Sequence, residues 1–208
     1  MVKFRADCAD PGPMDMRITA FCLAAVALAW PAVGLCAGAV AGPGPGAVNA
    51  GGNTLAALPA DWLDDLGRPL DLRSLAGQRL VLTMAYATCH RICPMTFRKL
   101  QALQGELDAA GERATFVVVG YDPGNDDPAA WHQYRRARGL TRPNWLFLTA
   151  HDAGQVRRFA ERLGFEFWRY DEHVMHDERV VVLAPGGALQ LSAGPGHVLH
   201  ASDLSTGT

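Results

Sequence analysis

Arg79-Leu80-Val81-Leu82-Thr83-Met84-Ala85-Tyr86-Ala87-Thr88-Cys89-His90-Arg91-Ile92-Cys93-Pro94 is the stretch that decides the fold. Its first half is a short apolar run suited to a buried strand. Pro94 fits a first helical turn, where its missing N–H costs nothing, and Met95, Leu100, Leu103 and Leu107 then recur at roughly helical spacing. A strand therefore runs directly into a helix, with two thiols at the junction and Cys93 expected at or beside the N-cap. Unpaired N–H groups and the positive end of the helix dipole favour a thiolate, and Arg91 adds a positive charge, so Cys93 is expected to be the more acidic of the pair. Such a pair is a redox couple, a metal site or a structural disulfide, and its position between strand and helix favours the first two over the last.

The elements around this junction alternate. Asp64 to Leu70 has turn chemistry between short strands. Ala114 to Gly120 reads as a second buried strand, Pro128 to Arg138 as a helix, Asn144 to Thr149 as a third strand, and Asp152 to Leu163 as a helix capped by Asp152 and closed by Gly164. A loop carrying acids and histidines follows. Arg179 to Ala184 and Ala188 to Leu191 flank Pro185-Gly186-Gly187, which predicts a C-terminal β-hairpin. Strands alternating with helices and ending in a hairpin predict a three-layer α/β domain with a central mixed sheet, and the thiols at the end of the first long strand make it thioredoxin-like.

The chain has 208 residues, 49% of them hydrophobic and 19% charged, enough for one domain with a proper core. Its net charge of −2, with arginines dispersed among acids, lacks the footprint of nucleic-acid binding, so no such partner is expected. Arg17 precedes an apolar stretch, Ile18 to Trp30, and Ala39-Val40-Ala41 has the form of a cleavage site. Residues 1–41 are therefore expected to be an export signal or, uncleaved, a membrane anchor. Asp7, Asp10 and Asp15 are unusual so close to a signal core and make Met14 or Met16 a more natural start than Met1. Residues 42–54 read as a Gly/Pro/Ala-rich tether, 55–200 as the domain and 201–208 as a tail. Of the five cysteines, Cys8, Cys22 and Cys36 lie in or before the export segment. The domain keeps only Cys89 and Cys93, which in an oxidising compartment must form a disulfide, be kept reduced by a partner, or hold a metal.

Three residues separate these cysteines, a generous spacing for a redox pair and one that favours sulfurs splayed around an ion. Two soft thiolates suit Cu(I), and an added imidazole makes Cu(II) tolerable. Tyr170-Asp171-Glu172-His173-Val174-Met175-His176-Asp177 offers two histidines, of which His176, just before the hairpin strand, is the better placed and His173 the substitute. His90 reads as an exposed residue at the start of the helix. Met84, Met95 and Met175 are soft donors that more often fill cores. Asp122 and Asp126 either orient a loop facing the site or serve turn and cap chemistry. His197 and His200 are expected in an unstructured end.

The chain resembles the Sco/SenC copper-protein family. The likeness rests on Cys89-His90-Arg91-Ile92-Cys93-Pro94 after an aromatic strand end, on His176 ahead of Val180 to Gly187, on Asp122-Pro123-Gly124-Asn125-Asp126-Asp127-Pro128, and on the turn at Gly67. It covers most of Leu55 to Leu191. The resemblance implies a periplasmic protein, or one tethered to the outer face of the inner membrane, that binds one copper through Cys89, Cys93 and His176. It also implies partners: an apo-cuproenzyme such as the copper subunit of a terminal oxidase, and a thiol reductant protein. His90-Arg91-Ile92 departs from the Pro-Asp-Val more usual in the family, replacing an acid by a base. A thiol-disulfide oxidoreductase with Cys89 and Cys93 as its redox pair is the alternative, and thiol peroxidase activity is the weaker third.

Overall fold

The computed structural model describes residues 54–89, 92–171 and 173–205; the expected export segment, nearly all of the expected tether, His90 and Arg91 lie outside them. A one-turn helix, α1 (Thr54–Ala57), leads to the antiparallel pair β1 (Asp61–Asp64) and β2 (Pro69–Asp71), joined by the turn expected at Gly67. Asp64 builds that turn, its carboxylate accepting the N–H groups of Leu66 and Arg68, each at 2.9 Å.

The deciding stretch folds as read. β3 (Leu80–Ala85) is buried throughout and passes into α2 (Ile92–Ala110). β4 (Thr115–Gly120), α3 (Pro128–Ala137), β5 (Trp145–Thr149) and α4 (Ala153–Leu163) follow. Asp127 caps α3 ahead of Pro128, Asp152 caps α4, and Gly164 closes α4 in the left-handed conformation at φ 73°. The segment expected to be a loop is instead a second hairpin, β6 (Phe167–Tyr170) and β7 (His173–His176), turning at Asp171 with φ 52°. The C-terminal hairpin is β8 (Val180–Leu183) with β9 (Leu189–Ala193).

β3, β4 and β5 pair in parallel, β8 and β1 flank them antiparallel, and the sheet order is β2-β1-β5-β4-β3-β8-β9. Because strand side chains alternate, the sheet builds two cores. Leu80, Leu82 and Met84 of β3 join Val117, Val119 and Leu148 against Val156, Phe159 and Leu163 of α4. Val81 and Ala85 join Phe116, Val118, Trp145 and Phe147 against Phe97, Leu100, Leu103 and Leu107 of α2 and Trp131 of α3. This is a three-layer, thioredoxin-like α/β fold. Part of the segment expected to be a tail is helical: α5 (Ala201–Ser205) packs on α2, with Leu199 and Leu204 buried in the α2-side core.

Candidate metal centre

The parallel strands end together at Ala85 and Gly120, the edge outside which open α/β sheets place their ligands. The chain leaving β3 turns at once, Cys89 N–H donating to the Tyr86 carbonyl at 3.0 Å. One buried carboxylate holds this turn. Asp126 accepts the Ala87 N–H at 2.7 Å and the Asp122 N–H at 2.8 Å, joining the loops after β3 and β4. Gly120 makes room for it, since a Cβ there would lie 2.8 Å from Asp126 Cβ. Asp126 is 1% exposed, and its burial outweighs the two N–H groups, raising its pKa to about 7. Of the two readings of the acids, Asp126 thus orients the loop before Cys89, while the helix cap belongs to Asp127. Asp122 ion-pairs with Arg169 of β6 at 2.6 Å.

Cys93 is the second residue of α2, one step inside the helix rather than at its cap, and both cysteines are 2% exposed. The Cys93 N–H donates to the Cys89 sulfur at 3.4 Å. This geometry opposes the acidity expected of Cys93. The hydrogen bond with Cys89 and then burial push its thiol up, outweighing the helix terminus, because a second negative sulfur beside the first is costly where water is excluded. The helix dipole acts locally, whereas the burial comes from the core.

β7 brings His176 to the sulfurs. Its Nδ1 lies 2.7 Å from the Asp177 carbonyl, which makes Nδ1 the protonated nitrogen and leaves Nε2 with a free lone pair, 4.0 Å from Cys93 Sγ. Tyr86 and Tyr121 enclose the ring, with centroids 5.6 and 4.8 Å away. Burial lowers the imidazole pKa, but the Cys89 sulfur and the Asp177 carbonyl outweigh it and the net shift is upward. The loop after His176 is tied down on both sides. Glu178 pairs with Lys99 of α2 at 2.5 Å, Arg179 with Asp177 at 2.8 Å, and the Arg179 carbonyl accepts from Thr83 Oγ1 at 2.8 Å.

The ligand atoms of Cys89, Cys93 and His176 all lie within 4.8 Å of one another. A sulfur at about 2.3 Å and an imidazole nitrogen at about 2.0 Å from one ion stand roughly 3.6–3.8 Å apart. The set therefore fits a small soft ion after a contraction of up to about an ångström. The space between Cys93, Thr96, Phe97 and His176 is too narrow for a water molecule.

Other candidates go elsewhere. Met84 is in the α4-side core, while Met95 and Met175 are on the surface, 51% and 44% exposed. Met175 pairs with Trp168, next to the pair of His176 with Phe167, and His173 pairs with Tyr170 at the far end of the hairpin. His200, expected in a free tail, has its Nδ1 3.0 Å from Glu106 of α2, and neither it nor His197 joins a metal-binding cluster among the described residues. Sequence reading missed Tyr121, Lys99 and Glu178 as neighbours of the site. Only the place of Tyr121, beside Asp122 at the end of a predicted strand, could have flagged one of them.

The SCO1/SenC family model matches residues 56–197, and the chain belongs to that family. The SCO1 protein homolog of Bacillus subtilis is 25% identical over 132 residues, 62% of this chain and 68% of that protein. Arabidopsis thaliana ScoI with copper bound superposes with a TM-score of 0.60 at 20% identity, covering 67% of this chain and 88% of that one. BsSco, a member of the Sco family of cytochrome c oxidase assembly proteins in which a disulfide switch is identified, gives 0.60 at 22% identity, covering 66% and 82%.

Proposed function

We propose that this protein is an exported copper chaperone that binds one copper through Cys89, Cys93 and His176 and helps assemble the copper centre of a terminal oxidase or another cuproenzyme. The observation that carries the reading is the convergence of two buried sulfurs and the His176 imidazole within 4.8 Å. Two thiolates and one imidazole suit Cu(I) and tolerate Cu(II). Copper here is cargo, and the chain's part is to hold it apart from water until a partner's ligands displace its own. Family membership and the oxidase-assembly role of BsSco support the choice of recipient. Residues 1–41 would carry the chain out of the cytoplasm, leaving it periplasmic or tethered at the outer face of the inner membrane. Among the described residues no helix is long and apolar enough to cross a membrane.

The same two sulfurs support a second reading, because the Cys93 N–H already contacts the Cys89 sulfur. As a thiol-disulfide oxidoreductase the protein would pass two electrons and two protons from its dithiol to a partner's disulfide and become oxidised itself. A thiol reductant protein would then restore it. Anaerobic titration of the reduced chain with Cu(I), following bound metal and free thiols together, separates the readings. One tightly bound copper that protects both cysteines is the expected result. Absence of binding, with a disulfide that cycles readily, would assign the protein to the oxidoreductases.

A further inference from the structure

The hairpin that carries His176 leaves an edge open: among the described residues β6 pairs with β7 and with no other strand. The register fixes which of its groups face outward. One step beyond the Phe167–His176 pair, the Asp177 N–H donates to the Glu166 carbonyl at 3.0 Å, so the alternation of an antiparallel ladder makes Trp168–Met175 and Tyr170–His173 the bonded pairs. The N–H and C=O groups of Phe167 and Arg169 therefore point away from β7, and among the described residues no other group meets them. Phe167, Trp168 and Arg169 line a groove of about 860 Å³, faced by Arg157 and Glu161 of α4 and by Pro123 after β4. Half of the large apolar side chains exposed among the described residues stand on one face of this hairpin: Trp168 at 57%, Tyr170 at 67% and Met175, opposite Trp168, at 44%.

A row of unpaired backbone groups is a template for another extended backbone. Main-chain hydrogen bonds supply the attachment, and alternate side chains of the added strand come to stand beside Trp168 and Tyr170, where aromatic and β-branched residues pair well. We propose that the β6 edge docks an extended segment of a partner polypeptide, apolar at alternate positions, which joins β6 as a third strand. A second copy of this chain fits less well, because its own β6 is walled by its own α4 and would bring that helix into the same groove. A single added strand needs only the spacing of a sheet, about 4.8 Å. Two strands alone are marginal and a third stabilises them, so docking also firms the hairpin on which His176 stands opposite Phe167. The docking depends on the edge and the groove alone and serves copper transfer and disulfide exchange alike.

The test uses the full metal-free chain, labelled for amide NMR, and a panel of eight-residue peptides that alternate valine, phenylalanine or tyrosine with threonine or lysine. At least one peptide should bind and slow exchange of the Phe167 and Arg169 amide hydrogens by about tenfold or more at saturation. The amides of Trp168 and Tyr170, already in the ladder, should change less. Methylating the peptide nitrogens that face β6 should weaken binding by about tenfold, and methylating the alternate set should not. Arg169→Pro removes an outward N–H that β7 does not use and should cost about as much, whereas Arg169→Ala, which loses only the ion pair with Asp122, should bind as well as the natural chain or better. The methylated peptides carry the comparison by themselves if Arg169→Pro does not fold. If no peptide protects the two amides, or if the methylated peptides bind as tightly as the unaltered ones, β6 docks no strand. Protection that appears without peptide as the chain is concentrated, with a dimer in sedimentation, would assign the edge to a second copy and overturn the proposal as well.

Discussion

Cys89 and Cys93 belong to the core on the α2 side of the sheet, in one buried cluster with Phe97, Val118 and Val180. His176, by contrast, comes from a two-stranded hairpin outside the main sheet, whose β6 strand is largely exposed. Val174 and Phe167 give that hairpin an apolar footing, and charges supply much of the rest: Arg169 with Asp122, Lys99 with Glu178, Arg179 with Asp177. The sulfurs are thus fixed by packing, which cannot relax without unfolding the domain. The imidazole is fixed by contacts that water and salt can contest. A site that must both hold an ion and release it gains from that asymmetry, because one ligand can withdraw while two stay in place.

The largest expected effect is on the fixed half. Cys89→Ser or Cys93→Ser should weaken Cu(I) binding by about a thousandfold or more, since a hydroxyl is neither soft nor ionised at neutral pH. Chelator competition measures it, and a loss of only tenfold would mean that the sulfurs are not the main ligands. His176→Ala should cost less, about a hundredfold, with the dithiol still able to form and break a disulfide. Equal losses in the two halves would erase the comparison.

That contrast also governs what could be read from sequence. β3, β4, β5 and the helices after them announce themselves through apolar runs, Pro128, Asp152 and Gly164, so the fold and the thiol half were legible. β6 and β7 were hidden because Arg169, Asp171 and Glu172 give the segment the polarity of a loop. Its strand signal, the run Phe167-Trp168-Arg169-Tyr170, is short, and mostly exposed in the structure. α5 was missed for a similar reason: Leu199 and Leu204 are isolated in a polar end, and the reciprocal cap in which Asp203 accepts the His200 N–H at 2.9 Å is a weak signal. The site's electrostatics were the least legible, since the burial of Cys93 is a property of the whole core.

An intermediate effect is expected at the joint between the halves. Asp126 has its folded pKa raised to about 7 from an ordinary 3.8, so the folded state holds a proton that the unfolded state has lost. Its contribution to stability is complete below the ordinary value and is lost as the pH rises toward and through about 7. Denaturant titrations should show stability falling over that window. Asp126→Asn should flatten the slope while costing about 1–3 kcal/mol for the backbone N–H it no longer satisfies. An unchanged slope would remove Asp126 as its source.

The smallest effects belong to the charges around the hairpin. Arg169→Ala removes an ion pair whose arginine side chain is 54% exposed and should change melting by no more than about 1 kcal/mol. Glu178→Gln leaves Lys99 half-paired between α2 and the His176 loop, and should weaken copper binding by about fivefold with little change in melting. Both effects should shrink as salt is raised, whereas those of the cysteine variants should not. Salt-independent losses would mean that packing holds both halves alike.

X-ray absorption at the copper edge of the Cu(I)-loaded chain tests the central claim most directly. The account predicts two sulfurs and one imidazole nitrogen around each copper, with the nitrogen lost in His176→Ala and both sulfurs kept. A spectrum with two sulfurs and no nitrogen in the unaltered chain, or one that His176→Ala leaves unchanged, would contradict it.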